Sequence, residues 1–156
     1  MSNKKYLTGR FEITDNKGAF SVAAYVEVAI AIKSLFYVSI NSFNSNGISM
    51  AFSSIELRAL ANHLKQAKYD KTISYSKTSG GSGPLKRLFV ELIGDYYKIQ
   101  IVQKEQKREI HVTTNEIEAL GEEIEQIIRE CMSNCYKTQQ FEERKRLKNK
   151  LLDSYT

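Results

Sequence analysis

The chain has 156 residues, of which 42% are hydrophobic and 26% are charged, and this is the composition of a single compact globular body. No apolar run approaches the roughly 18 residues that a membrane span needs, and the start MSNKKYLTGRFEI lacks the apolar stretch of a signal peptide. We therefore expect a cytoplasmic protein that does not bind membranes. Two cysteines, Cys131 and Cys135, are too few for a disulfide framework, and neither histidine has a ligand-like spacing to them, so we expect no metal and no other cofactor.

Charge is unevenly distributed along the chain. The formal net charge is +5, yet residues 115–135 hold six glutamates and one arginine, so this segment is acidic and the remainder is strongly basic. A basic surface attracts polyanions and gains free energy when their condensed counterions are released. The alternative is that the charge only keeps the protein soluble.

The first half of the chain predicts four strands followed by a helix. Alternating apolar residues indicate the strands, and the DNKG at 15–18 supplies a turn after the first of them. Asn46-Gly47 predicts a tight hairpin turn before the fourth strand, because both central positions of a type I′ turn need positive φ. Ser53 or Ser54 caps the predicted helix. The predicted strands are 6–13, 19–32, 35–43 and 48–52.

The second half predicts the same order of elements. A glycine-rich segment, SGGSGP at 79–84, follows its first strand, Gly94-Asp95 makes a tight turn, and the polar QKEQK makes another. The acidic segment then predicts a helix that opens at Thr113 or Thr114 and carries one apolar stripe. The predicted strands are 71–78, 85–93, 96–104 and 108–112.

The two helices have similar sequences. Residues 53–66 are SSIELRALANHLKQ and residues 113–126 are TTNEIEALGEEIEQ, an echo at a spacing of sixty that favours duplication of one unit. The prediction is an α+β fold in which two ββββα repeats form antiparallel sheets with packed helices. Residues 1–136 then form a single domain, with repeats at 1–69 and 70–136, and residues 137–156 form a basic C-terminal helix or tail. The alternative is two unrelated meanders that each end in a helix.

The segment GISMAFSSIELRAL at 47–60 resembles the hallmark of the positive cofactor four family of single-stranded DNA-binding coactivators. Gly47, Ile48, Ser49 and Met50 match the family's glycine turn and final GISL strand, which leads directly into a helix. Ile55 or Leu57 stands where the family usually has tryptophan, which this chain lacks. The related Whirly and Pur-alpha families carry two ββββα units in one chain. The resemblance implies curved sheets that present one face to single-stranded DNA or RNA, with the helices packed behind them.

Binding of single strands needs cations along the backbone path and flat rings on which unstacked bases lie. Strand faces opposite the predicted core carry both, and cations flank the glycine-rich segment. That segment lacks the GK[ST] ending of a nucleotide-binding loop, so we interpret it as a hairpin loop whose neighbouring cations hold phosphates. The predicted nucleic-acid-binding residues are Arg10, Tyr37, Asn41, Lys71, Lys77, Lys86, Arg87, Phe89, Tyr96 and Lys98.

No catalytic set emerges, because neither His63 nor His111 has a neighbouring nucleophile or carboxylate in a pattern that marks an active site. We therefore expect a protein that is not an enzyme and that binds single-stranded DNA, or alternatively RNA, in replication, recombination or transcription. It would be cytoplasmic or nucleoid-associated, of bacterial, phage or organellar type, and a homo-oligomer. The alternative function is a protein-interaction or assembly subunit that binds no nucleic acid.

Overall fold

The computed structural model describes residues 4–43, 45–67, 75–79 and 84–154, with only the backbone described at Ser45 and at 75–79. The fold is α+β, as predicted at this level, with two antiparallel sheets and a long C-terminal helix. The first sheet is a meander in the order β1-β2-β3-β4, and the second follows the order β5-β6-β7-β8. The elements are β1 (Lys4–Thr14), β2 (Gly18–Val28), β3 (Ile32–Ser42), β4 (Ser45–Phe52), α1 (Ser54–Gln66), β5 (Tyr75–Ser79), β6 (Lys86–Ile93), β7 (Tyr96–Gln103), β8 (Gln106–Thr113) and α2 (Ile117–Asp153).

The second sheet does not reproduce the first. Three strands of eight residues, β6, β7 and β8, make up most of it, and β5 is a five-residue strand that pairs with β6. In the first sheet, β1, β2 and β3 each have 11 residues. The predicted second set of four comparable strands is therefore not confirmed.

The turn predicted at Asn46-Gly47 is wrong. The chain reverses between Ser42 and Ser45, which pair with each other, and both Asn46 and Gly47 lie within β4. A β-bulge between Ile40 and Ser42 shifts the register. The Asn41 side chain packs against Gly47, where an added Cβ would lie 1.6 Å from its oxygen and would require that side chain to move.

The long strand predicted over 19–32 is also wrong, because the chain turns at 29–31 and divides it into β2 and the start of β3. This turn contains Ala29, Ile30 and Ala31, which are not typical turn residues. By contrast, the Gly94-Asp95 turn is confirmed, and Gly94 has the positive φ of 64° that favours glycine.

The inner faces of both sheets and one stripe of each helix form a single core. Alternation along the strands places every second residue in this core, as the period of two predicts. Helix α2 crosses β1, β2 and β3, and α1 contacts β3 and β4. The Tyr97 hydroxyl of β7 donates a hydrogen bond to the Ala67 carbonyl at the end of α1 at 2.8 Å, so both sheets are joined to the helices. The largest fully buried side chains include Tyr97, Phe20, Phe36, Phe52, Ile40 and Met50.

The two helices cross closely at Gly121. A Cβ at this position would lie 2.8 Å from the Ala61 carbonyl oxygen of α1, so the backbones approach each other more closely than two larger residues allow. Beside the crossing, Lys65 of α1 forms an ion pair with Glu125 of α2. The hydrogen bond from Lys65, with a second from Arg129, holds the pKa of Glu125 below its usual range.

The helix starts differ from each other. Ser53 caps α1, accepting a hydrogen bond from the Glu56 N–H at 3.1 Å while the Glu56 carboxylate accepts one from the Ser53 N–H at 2.9 Å. Helix α2 begins at Ile117, later than the predicted Thr113 or Thr114, because Thr113 lies at the end of β8 and its hydroxyl donates to Glu116 at 2.6 Å. The helix continues to Asp153, so the predicted C-terminal extension is part of α2. Neither described helix has the length and apolar character needed to cross a membrane.

Candidate nucleic-acid interface

The ends of the first sheet's hairpins are held against the second sheet. In the turn between β1 and β2, the Asp15 carboxylate accepts hydrogen bonds from the Lys17 N–H at 2.7 Å and the Gly18 N–H at 2.9 Å. Its other oxygen accepts the N–H of His111, on β8, at 2.9 Å. On the same side, Arg108 donates to the Asn46 carbonyl at 2.7 Å. The turn between β1 and β2 and the start of β4 therefore lie along the β8 edge of the second sheet.

The outward face of the second sheet, opposite the core, carries a row of residues across three strands. Arg87 pairs with Val102, and Val102 pairs with Lys107. Because neighbouring strands are about 4.8 Å apart, this row spans about 10 Å from Arg87 to Lys107. Both Arg87 and Lys107 are exposed, and they lie on either side of the apolar residue Val102.

Two hollows lie along this row. The first, of about 370 Å³, is lined by Leu85, Arg87, Phe89, Val102 and Lys104. The Arg87 guanidinium lies 5.7 Å from the centroid of the Phe89 ring, within the range of a cation–π contact. The Phe89 ring and Val102 thus form an apolar surface, and Arg87 and Lys104 lie at its edge.

The second hollow, of about 350 Å³, lies between the first sheet's turns and β8. Phe43 contributes a ring that is 64% exposed. Lys17 and Lys107 form no ion pair with any residue in the described part of the chain, and the same holds for Lys104. This hollow is lined by Asn16, Lys17, Ser42, Phe43, Lys107, Arg108 and Glu109.

The hollows are neighbours, because Val102 of the first lies directly across the ladder from Lys107 of the second. Together they form a surface with two rings, Arg87, and three lysines that have no carboxylate partner among the described residues, Lys17, Lys104 and Lys107. We call this surface the cationic face. Its defining residues are Lys17, Phe43, Arg87, Phe89, Val102, Lys104 and Lys107.

Farther along the outward face, the side chains are already paired. The Tyr96 ring stacks on the His111 ring with centroids 4.3 Å apart. Lys98 forms an ion pair with Glu91 at 2.9 Å, and that hydrogen bond raises the pKa of Lys98. Both predicted residues lie on the same face as Arg87 and Phe89, but their rings and charges already have partners.

The predicted residues of the first sheet line neither hollow. Arg10 forms an ion pair with Glu12 at 2.7 Å. The Tyr37 hydroxyl accepts a hydrogen bond from Lys5 at 3.3 Å, and its ring meets the Tyr25 ring edge-on at 5.8 Å. Asn41 packs over Gly47. The structure therefore does not bring Arg10, Tyr37 and Asn41 together with the cationic face.

Three further predicted cations flank the glycine-rich segment in the sequence. Lys86 turns toward the first sheet, where its ammonium donates to the Ser49 carbonyl at 2.6 Å. Lys77 lies opposite Leu88 in the β5–β6 ladder, and its side chain is not described. Lys71 lies outside the described residues, as do positions 80–83 of the glycine-rich segment.

Sequence reasoning missed the lysines of the turns. Lys17 lies in the DNKG turn, and Lys104 and Lys107 lie in or beside the turn between β7 and β8. Binding residues are frequent on loops held by a rigid scaffold, so the position of these lysines in turns was a signal that could have marked them as binding residues. Their proximity depends on how the two sheets meet.

No protein-family model and no curated protein matches this sequence. Within the described residues, no three His, Cys, Asp or Glu side chains form a group that could hold a metal ion. Burial raises the pKa of both Cys131 and Cys135, which makes these thiols less reactive.

Replacing Asp15 with alanine is expected to lower the free energy of unfolding by about 2 kcal/mol at neutral pH, because the N–H groups of His111, Lys17 and Gly18 lose their acceptor. Burial by itself would raise the pKa of Asp15, but these three hydrogen bonds outweigh it and leave the pKa below its usual range. The stabilisation is therefore present above the ordinary aspartate pKa and is lost as pH falls through the lowered value.

Urea unfolding of the wild type and the Asp15→Ala variant, from neutral pH down into the acid range, measures this effect. The difference between the two proteins should shrink in acid. Asp95→Ala, in the exposed turn between β6 and β7, is the matched control and should change stability by less than about 0.5 kcal/mol. A difference that is independent of pH would contradict a role for the Asp15 carboxylate.

Proposed function

We propose that this protein is a non-enzymatic single-stranded nucleic-acid-binding protein, with DNA favoured over RNA, and that the cationic face is its binding surface. The observation that carries the proposal is the combination of two ring-bearing hollows with exposed lysines that have no carboxylate partner among the described residues. Separated cations around apolar rings suit a ligand that is both anionic and aromatic.

In the proposed mechanism, phosphates lie against the cations and bases enter the hollows. Lys17, Lys104 and Lys107 attract the backbone and displace its counterions, which makes binding depend on salt but not on sequence. Phe89 and Phe43 offer surfaces on which unpaired bases stack. A duplex keeps its bases stacked on one another, so it would satisfy the cations but not the rings.

We also propose that the two halves of the chain arose by duplication of one unit. The helix echo makes Ala61 equivalent to Gly121 and Lys65 equivalent to Glu125, and each residue contacts its own equivalent across the helix pair. The equivalent strands β3 and β7 also contact each other, and the contact of β3 with β8 has its symmetric counterpart in the contact of β4 with β7. Contacts between equivalent positions are what a two-fold axis between two related units produces. This pattern supports two ββββα units with a shortened β5, as the resemblance to the positive cofactor four, Whirly and Pur-alpha families implies.

The biological setting follows from the ligand. A protein that holds single strands without reading their sequence suits replication, recombination or transcription, where such strands are exposed. We accordingly propose a cytoplasmic or nucleoid-associated location.

Fluorescence anisotropy with labelled oligo-dT, oligo-dA, oligo-U and a DNA duplex tests the function. We expect single strands to bind more tightly than the duplex. If about four phosphates are contacted, affinity should fall about 50-fold between about 50 and 200 mM salt. Absence of binding at the lower salt concentration would overturn the proposal and favour the assembly-subunit hypothesis, whereas a preference for duplex would exclude base stacking as the mechanism.

A further inference from the structure

The second half of α2 extends beyond the core. Buried side chains on this helix end at Cys135, and farther on Gln139 still donates to the Ile32 carbonyl of the first sheet at 3.2 Å. Leu147, Lys148 and Leu151 are exposed and form no hydrogen bond or ion pair with another element of the described structure. We call residues 136–153 the arm, which is about 27 Å long at 1.5 Å per residue.

Opposite charges occupy the two halves of the exposed side of α2. Glu118 and Glu122 are four residues apart near its start, and Arg144 and Lys148 are four apart in the arm. Like charges at this spacing destabilise an isolated helix. Glu122, Arg144 and Lys148 have no ion-pair partner in the part of the chain that the structure describes.

These residues belong to one stripe that runs the full length of the helix on the side away from the core. Positions three and four apart share a helix face, and the stripe changes from acidic, through a middle with Ser133 and Tyr136, to basic. Its members are Glu118, Glu122, Gln126, Arg129, Ser133, Tyr136, Gln140, Arg144, Leu147, Lys148 and Leu151.

We propose that this stripe binds the same stripe of a second copy of the chain, with the two α2 helices antiparallel. A two-fold axis between Ser133 and Tyr136 places Glu122 opposite Lys148 and Gln126 opposite Arg144, and by symmetry each contact occurs twice. A parallel pair would instead place acidic against acidic and basic against basic. Charge complementarity therefore selects both the partner and its direction.

Apolar side chains on the stripe also favour the antiparallel dimer. Tyr136, which is 60% exposed, lies next to the proposed axis, where buried aromatic rings contribute most to an interface. Leu151, which is 59% exposed, comes opposite Ala119 of the second copy in the same register. Pairing removes both side chains from water, which stabilises the dimer.

Two charge-reversed variants test the proposal in the absence of nucleic acid, so the result does not depend on the proposed function. Arg144→Glu/Lys148→Glu places acidic residues in both halves of the stripe, and Glu122→Lys/Gln126→Lys places basic residues in both halves. By sedimentation equilibrium at low salt, we expect the wild type to be a dimer and each variant to have a dissociation constant about tenfold higher or more. An equimolar mixture of the variants should form heterodimers, because every reversed contact becomes attractive again.

Lys145→Glu is the control, since it reverses one positive charge on the other side of the arm and should leave the dimer intact. Circular dichroism establishes that each variant is folded, and restoration in the mixture excludes misfolding as the cause of dissociation. A wild-type protein that is monomeric at high concentration would overturn the proposal. Variants that stay dimeric alone, or a mixture that stays monomeric, would also overturn it.

Discussion

Replacing Gly121 with alanine is expected to lower the free energy of unfolding by about 2 kcal/mol, because the helix crossing has no space for a methyl group. The added Cβ would lie 2.8 Å from the Ala61 carbonyl oxygen and 2.8 Å from Lys65 Cγ. The lysine side chain can move, but the carbonyl belongs to the backbone of α1, so the helices must separate. Alanine favours a helix over glycine by about 1 kcal/mol, and the expected loss is what remains after that gain.

Denaturant unfolding of the two proteins measures the effect, and Ser133→Ala serves as a control. Ser133 is exposed on the same helix, so this change reports helix propensity without crowding and should alter stability by less than about 0.5 kcal/mol. Gly121→Val should cost more than Gly121→Ala, because its branches extend farther into α1. If Gly121→Ala is as stable as the wild type, α1 and α2 do not approach as closely as described.

Removing the Phe89 ring is expected to weaken binding of oligo-dT by about tenfold, since stacking of one base contributes about 1–3 kcal/mol. Phe89→Leu is the informative change, because leucine preserves an apolar side chain in a half-buried position while abolishing the flat surface. Tyr37→Leu is the matched control. It removes a ring from the outward face of the first sheet, where Lys5 and Tyr25 already contact it, and should leave affinity unchanged.

Removing lysines from the cationic face is expected to change the salt dependence of nucleic-acid binding. Lys104→Gln/Lys107→Gln should weaken binding to all single strands alike and reduce the slope of log affinity against log salt by about 1.4, the value for two phosphate contacts. Lys5→Gln/Lys33→Gln removes the same charge from the first sheet and should change the slope little. Equal effects of the two double variants would mean that net charge, and not this face, governs binding.

Local patterns in the sequence were sufficient for much of the fold. Alternation over 35–43 predicted that Phe36, Val38 and Ile40 share a face, and all three are buried together. Ser53 or Ser54 was predicted to cap the first helix, and Ser53 does so. These features depend on residues a few positions apart, and the period of a strand or helix relates such residues without reference to the rest of the chain.

Features that depend on distant residues were predicted less well. Asn46-Gly47 has the composition of a tight turn, but the bulge after Ile40 and the approach of Asn41 place both residues in a strand. Two adjacent cations also point in different directions. The Lys86 side chain donates to the Ser49 carbonyl of the first sheet, while Arg87 lines the hollow on the outward face. Alternation predicts that neighbours point apart, but it does not say which of them meets the core.

The sequence by itself therefore determined the strand and helix types, the alternation of faces and the uneven charge, because these follow from the periodicity of short segments. Only the tertiary structure decided which sheet face remains open and which cations meet there. Lys17 and Lys107 are ninety positions apart and line one hollow because Asp15 holds the first turn against β8. Such proximity is set by packing between elements, which no local pattern specifies.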